Sequence, residues 1–194
     1  MQLIDHIQNF ITVYGNEKVR SLVPEICRRL DLDADVGIVL YGKSFSNTDE
    51  CLKKTGAYFV EPSKEFGSWG DEITLLSGSK IPHQLMSHIT WFLSKIDPNV
   101  VLKYKYDHVE GNFVGTSFRI VEKGKIRFFD EIVHIDSTVL FEEEVDRYLA
   151  ENENESEDDI LTWAQLWEIQ SKTTLVALTQ LLKEFPNCRK YVST

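Results

Sequence analysis

The chain has 194 residues, 42% of them hydrophobic and 11% aromatic, and a formal net charge of −10. That length supports one domain with additions, or two small ones, around a real core, and the composition excludes wholesale disorder. No apolar run approaches the roughly 18 residues of a membrane-spanning helix, so none is expected. The residues Met1–His6 lack the basic and apolar regions of a signal peptide, and none is predicted there. Cys27, Cys51 and Cys188 are odd in number and far apart, which suits a reducing cytoplasm better than a disulfide framework or a zinc site.

In chain order, Leu3, Ile4, Ile7, Phe10, Ile11 and Tyr14 recur at helical spacing and predict an N-terminal helix that Gly15-Asn16 ends. A second helix over 17–30 places Val19, Leu22, Val23, Ile26 and Leu30 on one side, with Pro24 set to kink or shorten it. The β-branched run Val36–Tyr41 reads as a buried strand. Asn47 or Thr48 caps a short helix to Lys54, closed by Gly56. Ala57–Val60 and Glu72–Leu76 read as strands on either side of a loop over 62–70. Pro82 opens a helix carrying Leu85, Ile89, Phe92, Leu93 and Ile96, and Asp97-Pro98 closes it. Val101–Asp107, Phe113–Glu122 and Lys125–Ile135 are predicted strands, the last two joined by a Lys123-Gly124 hairpin. Helices over 138–150 and 160–185 end the chain, with Ser156 and Asp159 as a start signal for the second.

From residue 36 this order is β-α-β-β-α-β, that of a ferredoxin-like split βαβ unit, followed by an antiparallel hairpin. The expected fold is therefore α+β, a ferredoxin-like core extended by a hairpin, with helices at both termini. Residues 1–33 form a helical extension in this reading, 34–137 the ferredoxin-like domain and 138–194 the C-terminal helices with an acidic segment, in one compact unit. Within it, residues 66–127 resemble the YubB-like ferredoxin-fold family of plasmid and phage proteins. The resemblance lies in Phe66-Gly67-Ser68-Trp69-Gly70, Ile81-Pro82, Asp97-Pro98-Asn99, Tyr104-Lys105-Tyr106-Asp107 and Gly111-Asn112-Phe113-Val114-Gly115. It implies a fold and a mobile-element origin, and no activity.

The charge is local. Residues 141–160 hold ten acids (Glu142, Glu143, Glu144, Asp146, Glu151, Glu153, Glu155, Glu157, Asp158 and Asp159) against Arg147 alone, leaving −9. The other residues hold 20 bases and 21 acids, leaving −1. Such a stretch is either a solvated helix end with its loop or a docking surface for a basic partner, or a mimic of nucleic-acid phosphates. The docking reading is preferred: a non-enzymatic interaction protein, such as an inhibitor, immunity or anti-defence protein, that binds another protein with a basic surface. A homo-oligomer is compatible with it, and no membrane is involved.

Two alternatives remain. Lys103, Lys105, Arg119, Lys123, Lys125 and Arg127 interleave with Tyr104, Tyr106, Phe113, Phe118 and Phe128, the composition of a sheet that stacks single-stranded bases. Alternation opposes this, setting the tyrosines against the lysines. A metal-dependent hydrolase would rest on His134 and Asp136, about 7 Å apart on one strand face, with Asp107 or His108 from a turn that also holds Glu110. Asp130 is too far from His134 to share a metal directly. His83 and His88, five apart, do not align on a helix. Asp31, Asp33 and Asp35 resemble a calcium loop but Val36 and Gly42 occupy the positions that need Gly and Glu. No cysteine has a neighbour that would activate it, and neither a phosphate loop nor a nucleophile elbow is present. No cofactor is expected.

Overall fold

A computed structural model describes residues 6–33, 35–63, 72–78, 80–108, 113–134 and 157–192, the side chains of 33 and 157–166 excepted. It is a mixed α+β fold in which six strands form one antiparallel sheet.

The N-terminal segment departs furthest from its sequence pattern. His6–Tyr14 is strand β1, not a helix, and it lies inside the sheet. Its inward positions Ile7, Asn9, Ile11 and Val13 are all buried. The polar Asn9 breaks the apolar alternation there, while Phe10 and Tyr14 supply apolar residues on the other face, so the run imitates a helical stripe. The predicted N-terminal extension is thus a strand followed by helix α1 (Glu17–Asp33). The Asn16 side chain accepts from the Val19 N–H at 3.1 Å and starts that helix. Val19, Val23, Cys27 and Leu30 bury its inner face, and Pro24 stays within it.

A second correction concerns Val36–Tyr41, which forms helix α2 rather than a strand. Its ends decide the matter. The Asp35 carboxylate accepts from the Ile38 N–H at 3.0 Å, and Gly42 at φ 77° closes the helix in the left-handed conformation. These caps satisfy end groups that a six-residue helix could not satisfy alone. Asp35, read above as part of an imperfect calcium loop, is therefore a helix cap held by Ser44 at 2.7 Å.

Helix α3 (Thr48–Thr55) follows the expected capping, with Asn47 Oδ1 accepting from the Glu50 N–H at 2.9 Å and Gly56 at φ 91°. Asn47→Ala removes that acceptor, and a loss of about 1 kcal/mol is expected in chemical denaturation; an unchanged midpoint would show the cap to be idle. The next strand is shorter and later than predicted: β2 is Val60–Pro62, on the sheet edge where a proline is tolerated. Strand β3 (Glu72–Gly78), helix α4 (His83–Ser94) and strands β4 (Val101–His108), β5 (Phe113–Glu122) and β6 (Lys125–His134) match the sequence to within a few residues. Lys123 and Gly124 both take positive φ, as a two-residue hairpin turn requires. Helix α5 (Glu157–Glu184) leads to a 3₁₀ turn at Pro186–Cys188 and helix α6 (Arg189–Val192). The predicted helix over 138–150 and Ser156 lie outside the described residues.

The strand order is β2-β3-β1-β4-β5-β6. Helices α1 and α4 cover one face, where Ile11, Ile73, Leu85, Leu93 and Tyr104 join the main core. Helix α5 lies on the opposite face over β5 and β6, closing a second core of Val101, Phe118, Ile120, Phe129, Ala177 and Leu181. Alternation along β5 fixes these sides: Thr116 meets Thr173 and Thr174 of α5, whereas Arg119 meets α4. Each large apolar side chain in the two cores contributes about 1.5–3 kcal/mol by leaving water. Among the described residues no helix is long and apolar enough to cross a membrane.

Candidate functional site

Strand β5 is buried on both faces, yet it carries an arginine inward. Arg119 is 2% exposed and lies between the sheet and the first turns of α4. Its Nη1 donates to the His83 carbonyl at 2.8 Å and to Ser87 Oγ at 3.0 Å, and its Nε to Ser117 Oγ at 3.3 Å. Nη2 lies 2.8 Å from His83 Nδ1. A guanidinium only donates, so Nδ1 accepts and the neutral imidazole carries its proton on Nε2. Burial holds the His83 pKa below its usual value, and the adjacent Arg119 charge lowers it further. Burial also lowers the Arg119 pKa, while Asp130 and the two tyrosines beside it oppose that shift.

The polar layer continues across the sheet. The Tyr104 ring sits 6.0 Å from the guanidinium, and its hydroxyl donates to Asn9 Oδ1 at 2.5 Å. Asn9 Nδ2 in turn donates to the Ile7 and Leu75 carbonyls and to Ser77 Oγ. Tyr106 packs beside Tyr104 with centroids 5.0 Å apart, and its phenol occupies the space above Gly115. A β-carbon at Gly115 would collide with that ring, which explains the glycine in mid-strand. Asp130 stands opposite Ser117 on β6. The Tyr106 hydroxyl and Asp130 Oδ1 are buried and have no hydrogen-bond partner among the described residues. One donor-acceptor and one acceptor remain there for a small hydrogen-bonding group, while Arg119 spends its donors holding α4 to β5. Beside this layer, a cleft of about 640 Å³ opens at the start of α4, lined by His83, Gln84, Lys80, Ile81, Leu52 and Phe113 among others.

The residues singled out in the sequence do not converge on this layer, apart from Arg119, Asp130, His83, Tyr104 and Tyr106. His134 is exposed at the end of β6, and Asp136 lies outside the described residues. Among the described residues no group of three or more His, Cys, Asp or Glu could hold a metal ion. Asp107 and His108 are the last residues of β4 rather than turn residues, with His108 stacked on Phe113 at 5.0 Å; Glu110 is outside the described residues. His88 bonds the Leu40 carbonyl at 3.0 Å and stacks on Tyr41, pinning α2 to α4.

The six basic residues are scattered. Arg119 is the buried one. Lys103 and Lys105 share the sheet face of Phe10, with Lys105 lying 5.2 Å from that ring, while Tyr104 and Tyr106 are buried on the other face. Lys123 sits in the hairpin turn and Lys125 directly after it, and Arg127 pairs with Glu122 at 3.0 Å and Glu184 at 2.6 Å. Of the acidic set, Glu142, Glu143, Glu144, Asp146, Glu151, Glu153 and Glu155 lie outside the described residues. Glu157, Asp158 and Asp159 occupy the first turn of α5, where acids favour the helix dipole. All three cysteines are free; Cys27 and Cys51 are buried and Cys188 half-buried.

Compared with family models, curated proteins and solved structures, the chain matches none.

Proposed function

We propose that the chain is a binding protein whose acidic stretch 142–159 docks on a partner protein with a basic surface. The concentration of −9 in residues 141–160 carries this reading, because the remainder is nearly neutral. A charge block of this kind steers encounter and selects partners by sign, acting on association rate more than on affinity. An inhibitor, immunity or anti-defence role fits a chain with this design, and its free cysteines agree with a cytoplasmic location. The same proposal includes the fold. Strands β1 to β4 with their helices follow the β-α-β-β-α-β order, and the sheet order β2-β3-β1-β4 agrees with a ferredoxin-like unit that begins at residue 6 rather than 36. The YubB-like resemblance of residues 66–127 would begin within that unit and run on through β5 into the start of β6.

The test reverses Glu142, Glu143, Glu144 and Asp146 to Lys and measures capture of host proteins by tagged chain at low and high salt. Capture by the unaltered chain should fall with salt, and the variant should lose it at low salt. Equal capture by both would remove the proposal. A second reading rests on Phe10, Lys103 and Lys105 sharing one sheet face, a small platform for single-stranded nucleic acid. It requires salt-sensitive binding to a single-stranded oligonucleotide that Phe10→Ala weakens.

A further inference from the structure

Helix α5 turns Thr173, Ala177 and Leu181 into the protein. Its opposite flank is not an ordinary solvated face. Trp167 is 76% exposed, Leu175 65% and Val176 42%. Trp167, Ser171, Leu175 and Thr179 follow at four-residue spacing, which lines them up as one ridge. The two hydroxyls in that ridge are turned back on the helix: Ser171 donates to the Trp167 carbonyl at 2.8 Å and Thr179 to the Leu175 carbonyl at 2.7 Å. The ridge therefore presents carbon with no hydroxyl donor left unsatisfied. Alongside it Glu168 and Lys172 form an exposed ion pair at 2.6 Å.

We infer that this ridge is the contact surface for a second copy of the chain, the two α5 helices crossing antiparallel about a two-fold axis at Ser171. Trp167 and Leu175 stand at equal distances on either side of Ser171, so the axis sets Trp167 of each copy on Leu175 of the other. A serine at the crossing lets the backbones approach. Each Glu168 then faces Lys172 of the other copy, because an antiparallel pair brings the same flank of both helices together. The arrangement also separates like charge. At 1.5 Å per residue Glu157 lies ~21 Å from the axis. The acid-rich ends of the two helices thus diverge by several Debye lengths. Self-association at α5 stands independently of the acidic docking surface, and would make that surface bivalent.

Sedimentation equilibrium of the full chain in the micromolar range tests this. A species of twice 22.4 kDa is expected. Trp167→Ala and Leu175→Ala should each weaken the dimer about tenfold or more. Glu168→Lys should weaken it and Glu168→Lys with Lys172→Glu should recover it. In a Cys188→Ser background, Ser171→Cys should cross-link two chains on mild oxidation. Thr179→Cys should not, since its two copies lie ~24 Å apart along the crossing helices. A monomer throughout, a dimer indifferent to Trp167→Ala, or equal cross-linking at both positions overturns the inference.

Discussion

Arg119→Ala is expected to lower stability by about 3–5 kcal/mol, the cost of removing one partner from a buried charged network. Equilibrium urea denaturation would read it as a large fall in midpoint. The magnitude follows from what the guanidinium leaves behind: His83 Nδ1, the His83 carbonyl, Ser87 Oγ and Ser117 Oγ all lose a donor together. Asp130 also loses the positive charge that faces it. Arg119→Lys keeps the charge but cannot reproduce four contacts spread over a planar fork, so it should recover only part of the loss. Arg119→Met combined with Asp130→Asn should cost less than Arg119→Met alone, since the second change removes the stranded carboxylate. His83 supplies a separate readout. Without the neighbouring charge and the donor at Nδ1, its imidazole should titrate at higher pH in Arg119→Ala, as followed by NMR. A variant within about 0.5 kcal/mol of the parent would mean that α4 is held by its apolar face alone.

What the sequence discloses depends on whether the deciding interaction is local. Helix α4 and the β5–β6 hairpin are legible because Pro82, the apolar stripe and Lys123-Gly124 act within a few residues. Helix α2 is also decided locally, by Asp35 and Gly42, but the β-branched run between them carries the stronger and misleading signal. Strand β1 is hidden because Asn9 occupies an inward position, and its reason for being there is Tyr104, 95 residues away. The Arg119 cluster is illegible for the same cause. Its bond to His83 spans 36 residues, and only the sheet register sets Arg119 opposite Leu102. In composition Arg119 is one more base among aromatics; alternation from the adjacent Phe118, which faces α5, is the one signal that places it on the other face. The acidic stretch is the reverse case, plain in the sequence and carried into the described structure only by the first turn of α5.

Asp107→Asn is expected to raise stability by about 2–3 kcal/mol at pH 7.5 and by little at pH 4. Asp107 is the penultimate residue of β4, on the face away from α4 and opposite Gln8 of β1. Burial raises its pKa from the ordinary 3.8 to about 6, with Lys105 on the same face opposing the shift. The folded chain therefore binds a proton at Asp107 more tightly than the unfolded chain does. Its contribution to stability is greatest below the unfolded pKa and is lost as pH rises through about 6, leaving a half-buried carboxylate that opposes folding at neutral pH. Gln8 Oε1, buried without a hydrogen-bond partner among the described residues, faces the same surface, where a protonated Asp107 or the amide introduced by Asp107→Asn could offer a donor. Carboxylates with lowered pKa, among them Glu50 at about 2, impose the opposite slope at lower pH. The informative quantity is thus the difference between parent and variant, which cancels them. That difference should be small at pH 4, grow between about 4 and 6 and level off above, in urea denaturation repeated across the range. A difference that stays flat throughout would mean that the Asp107 carboxylate is solvated in the native chain.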